Sequence, residues 1–211
     1  MVYYFTSSKH GLSNLSNRHI KVSRFNNLND PFELLGIEMS DRDVRNAIEF
    51  EKSQIAASKG LICFSENKYD PVQWAHYGEN HKGICLGFEI PETNLKPVKY
   101  VSSRLAKSVL SDENKQERIL TTKFKHWDYE QERRLIIDLE KNTLNDEIVF
   151  EDFSANLELK EVYIGCKSKL TYDDIRNSFK TVKGKVIVKH TRPAFKDFRI
   201  VWDQSKKSVH A

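Results

Sequence analysis

The sequence lacks the features that would mark a membrane, exported or disulfide-linked protein. No apolar run approaches the roughly 20 residues of a membrane-spanning helix, and Met1–Thr6 has neither the basic nor the apolar stretch of a signal peptide. Only three cysteines occur in 211 residues, an odd number, set far apart in apolar surroundings. We therefore expect a cytoplasmic protein that contacts no membrane and keeps its thiols reduced.

Standard catalytic motifs are absent as well. There is no glycine-rich phosphate loop, no G-x-S-x-G nucleophile elbow and no C-x-x-C pair. His76, His81 and Cys85 have spacings that match no usual zinc template, so no metal site is predicted. No repeat or low-complexity linker divides the chain, which predicts one domain over residues 1–211.

The composition is that of a globular protein with a real core, at 39% hydrophobic and 30% charged residues. The formal charge of +4 is unevenly spread, because residues 180–211 hold nine Lys or Arg against two Asp. We interpret this basic section as closing strands plus a short tail, whose lysines keep an exposed strand soluble or contact phosphates.

Hydrophobic periodicity predicts an α+β fold, with many short strands in a split or bent mixed sheet and three to four peripheral helices. One helix should begin after Ser40 and stop at Gly60, and a short one should be capped by Asp70. Residues 140–146 read as a turn, and residues 147–150 as a short edge strand.

A Glu-x-Glu pair precedes the clearest strand. If Glu130 and Glu132 lie in an extended segment they project from one side, roughly 7 Å apart, and their mutual repulsion should raise one pKa. Such a pair suits acid/base or cation-stabilising chemistry. The alternative is a solvated strand entrance paired to Arg133 and Arg134. A glycosidase pair is disfavoured, because those carboxylates normally come from different elements.

Two further segments are candidate walls of a cleft around the Glu132 strand. The loop from Arg24 to Glu33 has polar residues Asn29 and Asp30 between apolar anchors, which indicates more order than a linker needs. On the short helix after Asp70, Trp74 and Tyr77 share one face by their spacing.

The chain resembles a bacterial and phage family catalogued as domain of unknown function 2971, over nearly its full length from Tyr3 to Trp202. The motifs that carry the resemblance follow in this order: Phe25-Asn26-x-x-Asn29-Asp30-Pro31-Phe32-Glu33, Cys63-Phe64-Ser65, Trp74-x-His76-Tyr77-x-x-x-His81-x-Gly83-x-Cys85-x-Gly87-Phe88, and Trp127-x-Tyr129-Glu130-x-Glu132-x-Arg134-Leu135.

A more distant resemblance is to ADP-ribosyltransferases, including toxins that modify thymidine in DNA. Tyr3–Thr6 is similar to their opening strand, with Tyr4 standing where that superfamily has His or Arg. Phe64–Ser65 before a short helix, and Glu132 at the head of a late strand, resemble their later motifs. The resemblance implies an ADP-ribosyltransferase-like fold, NAD as substrate, and an enzyme of the toxin or phage-defence type.

The same resemblance implies roles for individual residues. Glu132 would stabilise the cationic ribose, and Glu130 would orient the acceptor nucleophile of a protein or nucleic acid. The implied contacts to NAD come from Tyr4, Ser65, Trp74, Tyr77, Arg24 and Arg134, and the implied loop or acceptor residues are Asn29, Asp30, Glu33, His76 and His81.

A non-catalytic domain that binds nucleic acid or a protein partner is the alternative. The basic final section and the aromatic residues Trp74, Tyr77 and Trp127 favour it. Affinity that falls steeply with salt and ignores the two glutamates would distinguish it from an enzyme.

Overall fold

The structure, a computed structural model, describes residues 1–139, 148–179 and 186–210. Its α-helices are α1 (Ser8–Asn17), α2 (Arg42–Ser58), α3 (Pro71–His76), α4 (Lys115–Thr121) and α5 (Tyr172–Ser178). Its strands are β1 (Val2–Thr6), β2 (His19–Lys21), β3 (Lys59–Ser65), β4 (Ile84–Glu89), β5 (Leu95–Pro97), β6 (Lys99–Val101), β7 (Thr122–Phe124), β8 (Glu132–Asp138), β9 (Phe150–Asp152), β10 (Glu158–Ile164), β11 (Ile187–Pro193), β12 (Ile200–Trp202) and β13 (Val209–His210). Short 3-10 helices cover Phe25–Asn27, Glu92–Asn94, Lys107–Ser111 and Lys125–Glu130.

This mixture of helices with parallel and antiparallel strand pairs confirms the α+β class. The described residues contain five α-helices rather than the three to four predicted, and three of the five have only six or seven residues. The predicted turn at 140–146 and the start of the predicted strand at 147 lie outside the described residues, and so do residues 180–185 of the basic section. No helix in the described ranges combines the length and apolar character needed to cross a membrane.

Local signals account for the start of α3. Asp70 accepts hydrogen bonds from the backbone N–H groups of Val72 and Gln73, and Pro71 occupies the first turn, where its missing N–H costs nothing. Both features are as predicted.

Helix α2 differs from its prediction at both ends. Asp41 rather than Ser40 caps it, by accepting from the Asp43 N–H. The helix ends at Ser58 and the chain continues at once into β3, so Gly60 is a strand residue and not a helix stop. A β-carbon on Gly60 would come within 2.4 Å of Val22, and close packing explains the glycine there.

The described residues form two compact units, each assembled from separate stretches of chain. One comprises Met1–Ile20, Phe64–Glu92 and Glu151–Ala211, and the other comprises Lys21–Cys63 and Thr93–Phe150. The chain passes between the units four times, so no single linker marks a boundary in the sequence. The expectation of one domain stays a prediction.

The first unit is built on a mixed sheet. Strand β4 pairs antiparallel with both β1 and β10, β10 runs parallel to β11, and β11 pairs with β12 and β13. At the other side of β1, Tyr3 opposes Ser65 at the end of β3. Central strand β4 is buried over Ile84–Phe88, as expected for a strand with neighbours on both sides and covered faces.

The second unit packs α2 onto β3, β8 and the loops around them. Strand β8 pairs antiparallel with β5 and also neighbours β3, while β6 and β7 form a separate parallel pair. Its core consists of buried apolar side chains from α2, β3, α4 and the loops: Phe25, Leu34, Ile37, Val44, Ile48, Ile55, Leu61, Val109, Ile119 and Leu120.

Candidate active site

The sequence-predicted site residues divide between the two units. Arg24, Asn29, Asp30, Glu33, Glu130, Glu132 and Arg134 belong to the second unit, and Tyr4, Ser65, Trp74, Tyr77, His76 and His81 belong to the first. Within the second unit the structure brings four of these together, Glu33, Glu130, Glu132 and Arg134, in one buried charged cluster around Lys123.

The backbone around the Glu-x-Glu pair is not extended as predicted. Residues Lys125–Glu130 form a 3-10 helix, and Gln131 adopts the left-handed conformation, with φ 43° and ψ 53°. Strand β8 begins only at Glu132. This turn, rather than strand alternation, directs both glutamate side chains to one point.

That point is the ammonium group of Lys123. Its Nζ donates to Glu130 Oε2 and, over 3.1 Å, to Glu132 Oε2. Its ammonium also lies 5.0 Å from the centre of the Trp127 ring, a cation–π distance. Lys123 is only 7% exposed, so it acts as a buried positive charge that separates two like charges.

Arg134 on β8 completes the cluster on the other side of Glu132. Its Nε and Nη2 donate to Glu132, its Nη1 and Nη2 donate to Glu33 over 2.6 and 3.1 Å, and Nη1 also donates to the Leu120 carbonyl. These bonds engage all five guanidinium hydrogens. The side chain is fully buried, so the pyrophosphate role implied for Arg134 would require it to give up protein partners.

The loop before α2 supplies Glu33 to this cluster. Asp30 is buried and its side chain accepts from the Phe32 N–H, while its carbonyl accepts from the Glu33 N–H. The resulting Asx turn directs the Glu33 carboxylate inward, whereas Asn29 stays exposed. Glu33 is therefore a structural partner of Arg134, a contact that the loop motif alone did not predict.

Electrostatics keep Glu132 ionised. Burial raises the pKa of its carboxyl group, but the charges of Arg134 and Lys123 outweigh that effect and lower the pKa to about 2. Its backbone N–H donates to the Tyr100 hydroxyl. The predicted rise of one pKa in the like-charged pair is therefore not found at Glu132.

Cys63, on the neighbouring strand β3, is affected by the charge of Glu132. Burial, followed by the negative charge of Glu132, raises the pKa of the Cys63 thiol well above its usual value. The thiol is therefore protonated at neutral pH and donates to the Glu132 carboxylate rather than acting as a nucleophile. Because the pKa of Glu132 is about 2, Glu132 cannot serve as a general acid at neutral pH. It can act only as an ionised carboxylate.

The site residues in the first unit have mainly structural contacts. Trp74 is fully buried, packs edge-on against Phe5 at 5.2 Å and donates through its indole N–H to the Lys68 carbonyl. Ser65 closes the turn after β3 by exchanging hydrogen bonds with the Asn67 backbone. Stacking of Trp74 on a ligand would require the ring to leave the core.

The remaining predicted residues in this unit are more accessible. Tyr4 and Tyr77 are half-buried, and His76 is exposed. His81 lies in a left-handed turn, with φ 69°, and its carbonyl accepts from the Lys167 N–H. Burial lowers the pKa of His81, so its imidazole is neutral at neutral pH.

Sequence reasoning missed a second charged cluster, which lies in the first unit. Lys68 Nζ donates to the hydroxyls of Tyr3 and Tyr163 over 3.0 and 2.6 Å and to Glu161 over 3.2 Å, and Lys189 also donates to Glu161. The one available signal was alternation in β10, which places Glu161 and Tyr163 on the same face.

Charged side chains in the described ranges do not form a metal-binding group of three His, Cys, Asp or Glu residues. Comparison of the chain with protein-family models, with curated proteins and with solved structures finds no match.

Proposed function

We propose that the chain is an ADP-ribosyltransferase-like enzyme, of the toxin or phage-defence type, that cleaves NAD and transfers ADP-ribose to a protein or nucleic acid. The observation that supports it best is where the three motif residues fall. Tyr4 is the middle residue of β1, Ser65 ends β3 before α3, and Glu132 begins β8. Within the first unit, Ser65 opposes Tyr3, the residue that precedes Tyr4 in β1.

Cleavage of NAD requires an ionised carboxylate near the ribose, and Glu132 is ionised. As the bond between the ribose C1′ and nicotinamide breaks, nicotinamide leaves with the electron pair and positive charge develops on the ribose. Glu132 would stabilise that charge. An acceptor oxygen or nitrogen then forms the new bond to C1′ and releases its proton, with Glu130 orienting the acceptor.

In the free protein the Glu132 carboxylate is already paired with basic side chains, so this mechanism requires a rearrangement when NAD binds. Glu132 is 4% exposed and both of its oxygens accept hydrogen bonds from Lys123 or Arg134. Lys123 must therefore release Glu132 when NAD binds, and it can do so without becoming unpaired because Glu130 accepts from the same ammonium.

The test is release of nicotinamide from NAD by the purified chain and by Glu132→Gln. We expect the substitution to lower the rate at least 100-fold, since it removes the charge that stabilises the transition state. Glu161→Gln is the matched control, because it makes the same change at a lysine-paired glutamate of the first unit. Thermal melting should show that both variants are folded.

Wild-type protein that releases no nicotinamide in the presence of candidate acceptors would overturn the proposed enzyme. Robust turnover by Glu132→Gln would remove that residue from the catalytic role and leave the activity itself standing.

An exposed aromatic hairpin favours nucleic-acid binding as a second candidate function. Between β11 and β12, Phe195 and Phe198 are 87% and 96% exposed. A backbone hydrogen bond closes the hairpin, from the Ala194 N–H to the Arg199 carbonyl over 2.8 Å. Exposed rings beside basic side chains can stack on unpaired bases, and the Arg192 guanidinium lies 3.9 Å from the centre of the Phe195 ring.

This second function predicts salt-sensitive binding of a single-stranded oligonucleotide through the hairpin. Stacking contributes about 1–3 kcal/mol per base, so replacing Phe195 and Phe198 together by alanine should weaken binding at least tenfold in a fluorescence-anisotropy titration. Phe50→Ala is the control, because Phe50 is 63% exposed on α2 of the other unit. Equal affinities for all three proteins would reject the hairpin as the binding element.

A further inference from the structure

A pocket of about 260 Å³ opens in the second unit next to the charged cluster. Three segments line it: residues 32, 35 and 36 after the Asx turn, residues 101–104 at the end of β6, and residues 122–124 of β7. The parallel pairing of β6 with β7 places Val101 opposite Phe124, so the last two segments meet at one edge of that pair. Every lining residue belongs to a single unit.

The pocket walls are flat and apolar. Phe32 and Phe124 both line it, and they are 55% and 41% exposed, among the most exposed large apolar side chains of the described residues. Two phenylalanine rings left in water at the same pocket are an unusual use of apolar surface in a protein with a well-formed core. They offer flat surface to an aromatic ring.

The charge at the pocket is positive. Arg104 is exposed, and its guanidinium lies 5.7 Å from the centre of the Phe32 ring. Among the described residues no carboxylate pairs with Arg104. Lys123 is the other basic lining residue. Its ammonium donates to Glu130 and Glu132, so it contributes only the aliphatic part of its side chain to the pocket. The positive charge that an occupant of the pocket would meet therefore comes from Arg104, and it favours an anion.

Size limits the occupant further. Pockets for drug-sized ligands measure about 300–1,000 Å³, and this one is slightly smaller. It has room for a single ring with a small substituent and is too small to enclose a dinucleotide. None of its lining residues is among the NAD contacts of the proposed function.

We propose that this pocket binds a small aromatic carboxylate, with its ring against Phe32 and Phe124 and its carboxylate on the Arg104 guanidinium. The planar fork of arginine donates two parallel hydrogen bonds to a carboxylate. Ser102 and Ser103 line the same pocket and are exposed, and a serine hydroxyl can serve as a further donor.

The experiment titrates the protein with benzoate and follows backbone amide resonances by NMR. We expect saturable shifts of residues in the three lining segments, with a Kd of about 1 mM, as suits so small a ligand. Benzamide, which has the same shape without the charge, should bind at least tenfold more weakly.

Two variants assign the binding to the proposed contacts. Arg104→Gln and Phe32→Ala should each weaken benzoate binding at least fivefold, and because both side chains are exposed the fold should persist. Arg118→Gln is the control, since Arg118 pairs with Asp112 on the surface of the same unit. Absence of saturable shifts, equal binding of benzamide, or unchanged affinity in Arg104→Gln would each overturn the proposal.

Discussion

Replacing Arg134 by methionine should lower the free energy of unfolding by about 3–5 kcal/mol. The guanidinium is fully buried and donates to Glu33, Glu132 and the Leu120 carbonyl. Methionine fills much of the same volume, so the loss comes chiefly from two buried carboxylates deprived of a shared cation, not from a cavity. Urea denaturation at neutral pH measures the change as a lower transition midpoint.

A surface arginine provides the comparison. Arg118→Met breaks an ion pair with Asp112 whose side chains are about two-fifths exposed, and exposed pairs contribute at most about 1 kcal/mol. If Arg134→Met destabilises the protein no more than Arg118→Met does, the buried cluster is not a major source of stability in the second unit.

Lys123→Met should also destabilise the protein by about 3 kcal/mol, for the same reason. The substitution removes the ammonium that both Glu130 and Glu132 accept from, and leaves two like charges facing each other. Adding Glu130→Gln should recover more than half of the loss, because it removes one of those charges. Lys96→Met is the surface control, as Lys96 pairs with the exposed Glu117.

Lys123→Met should also change the pH at which the protein unfolds in acid. In the wild type the pKa of Glu132 falls from its usual 4.5 to about 2 on folding, so its stabilising contribution is complete above pH 4.5 and is lost as the pH falls through 2. Without Lys123 the folded-state pKa should rise, and acid unfolding should begin at higher pH. An acid transition at the same pH in both proteins would contradict the assigned role of Lys123.

Sequence patterns predicted several parts of the structure that depend on near neighbours. The Asp70 cap, the Pro71 start of α3 and the strand that contains Arg134 and Leu135 depend on residues a few positions apart. The pairing of Glu132 with Arg134 also follows from i to i+2 spacing on one strand face.

Other parts of the site depend on contacts beyond the nearest neighbours in the sequence, and these were not predicted. Hydrophobicity alone would bury Phe124 and expose Lys123, yet Lys123 is 7% exposed and Phe124 is 41% exposed. The reversal follows from two glutamates that lie seven and nine residues further along the chain. The left-handed Gln131 that brings them there carries no glycine or asparagine signal.

The burial of aromatic side chains was also not predictable from local sequence patterns. Trp74 was expected to face a ligand, but it fills the core of the first unit, while Phe195 and Phe198 lie in a turn and are almost fully exposed. Spacing on a helix indicates which side chains share a face, and packing of the remaining chain decides whether that face is covered.

The order in which the chain leaves the ribosome gives the interleaved units one further consequence. Strand β1 is made first, but its partner β4 appears some 80 residues later, and the next strand of that sheet, β10, begins only at Glu158. Strand β1 cannot complete its pairing until β4 is made, and the other edge of β4 stays open until β10 follows, because the sheet closes only through contacts of long sequence separation. Nascent chains halted before β10 should therefore be the form most prone to aggregate or to be captured by chaperones.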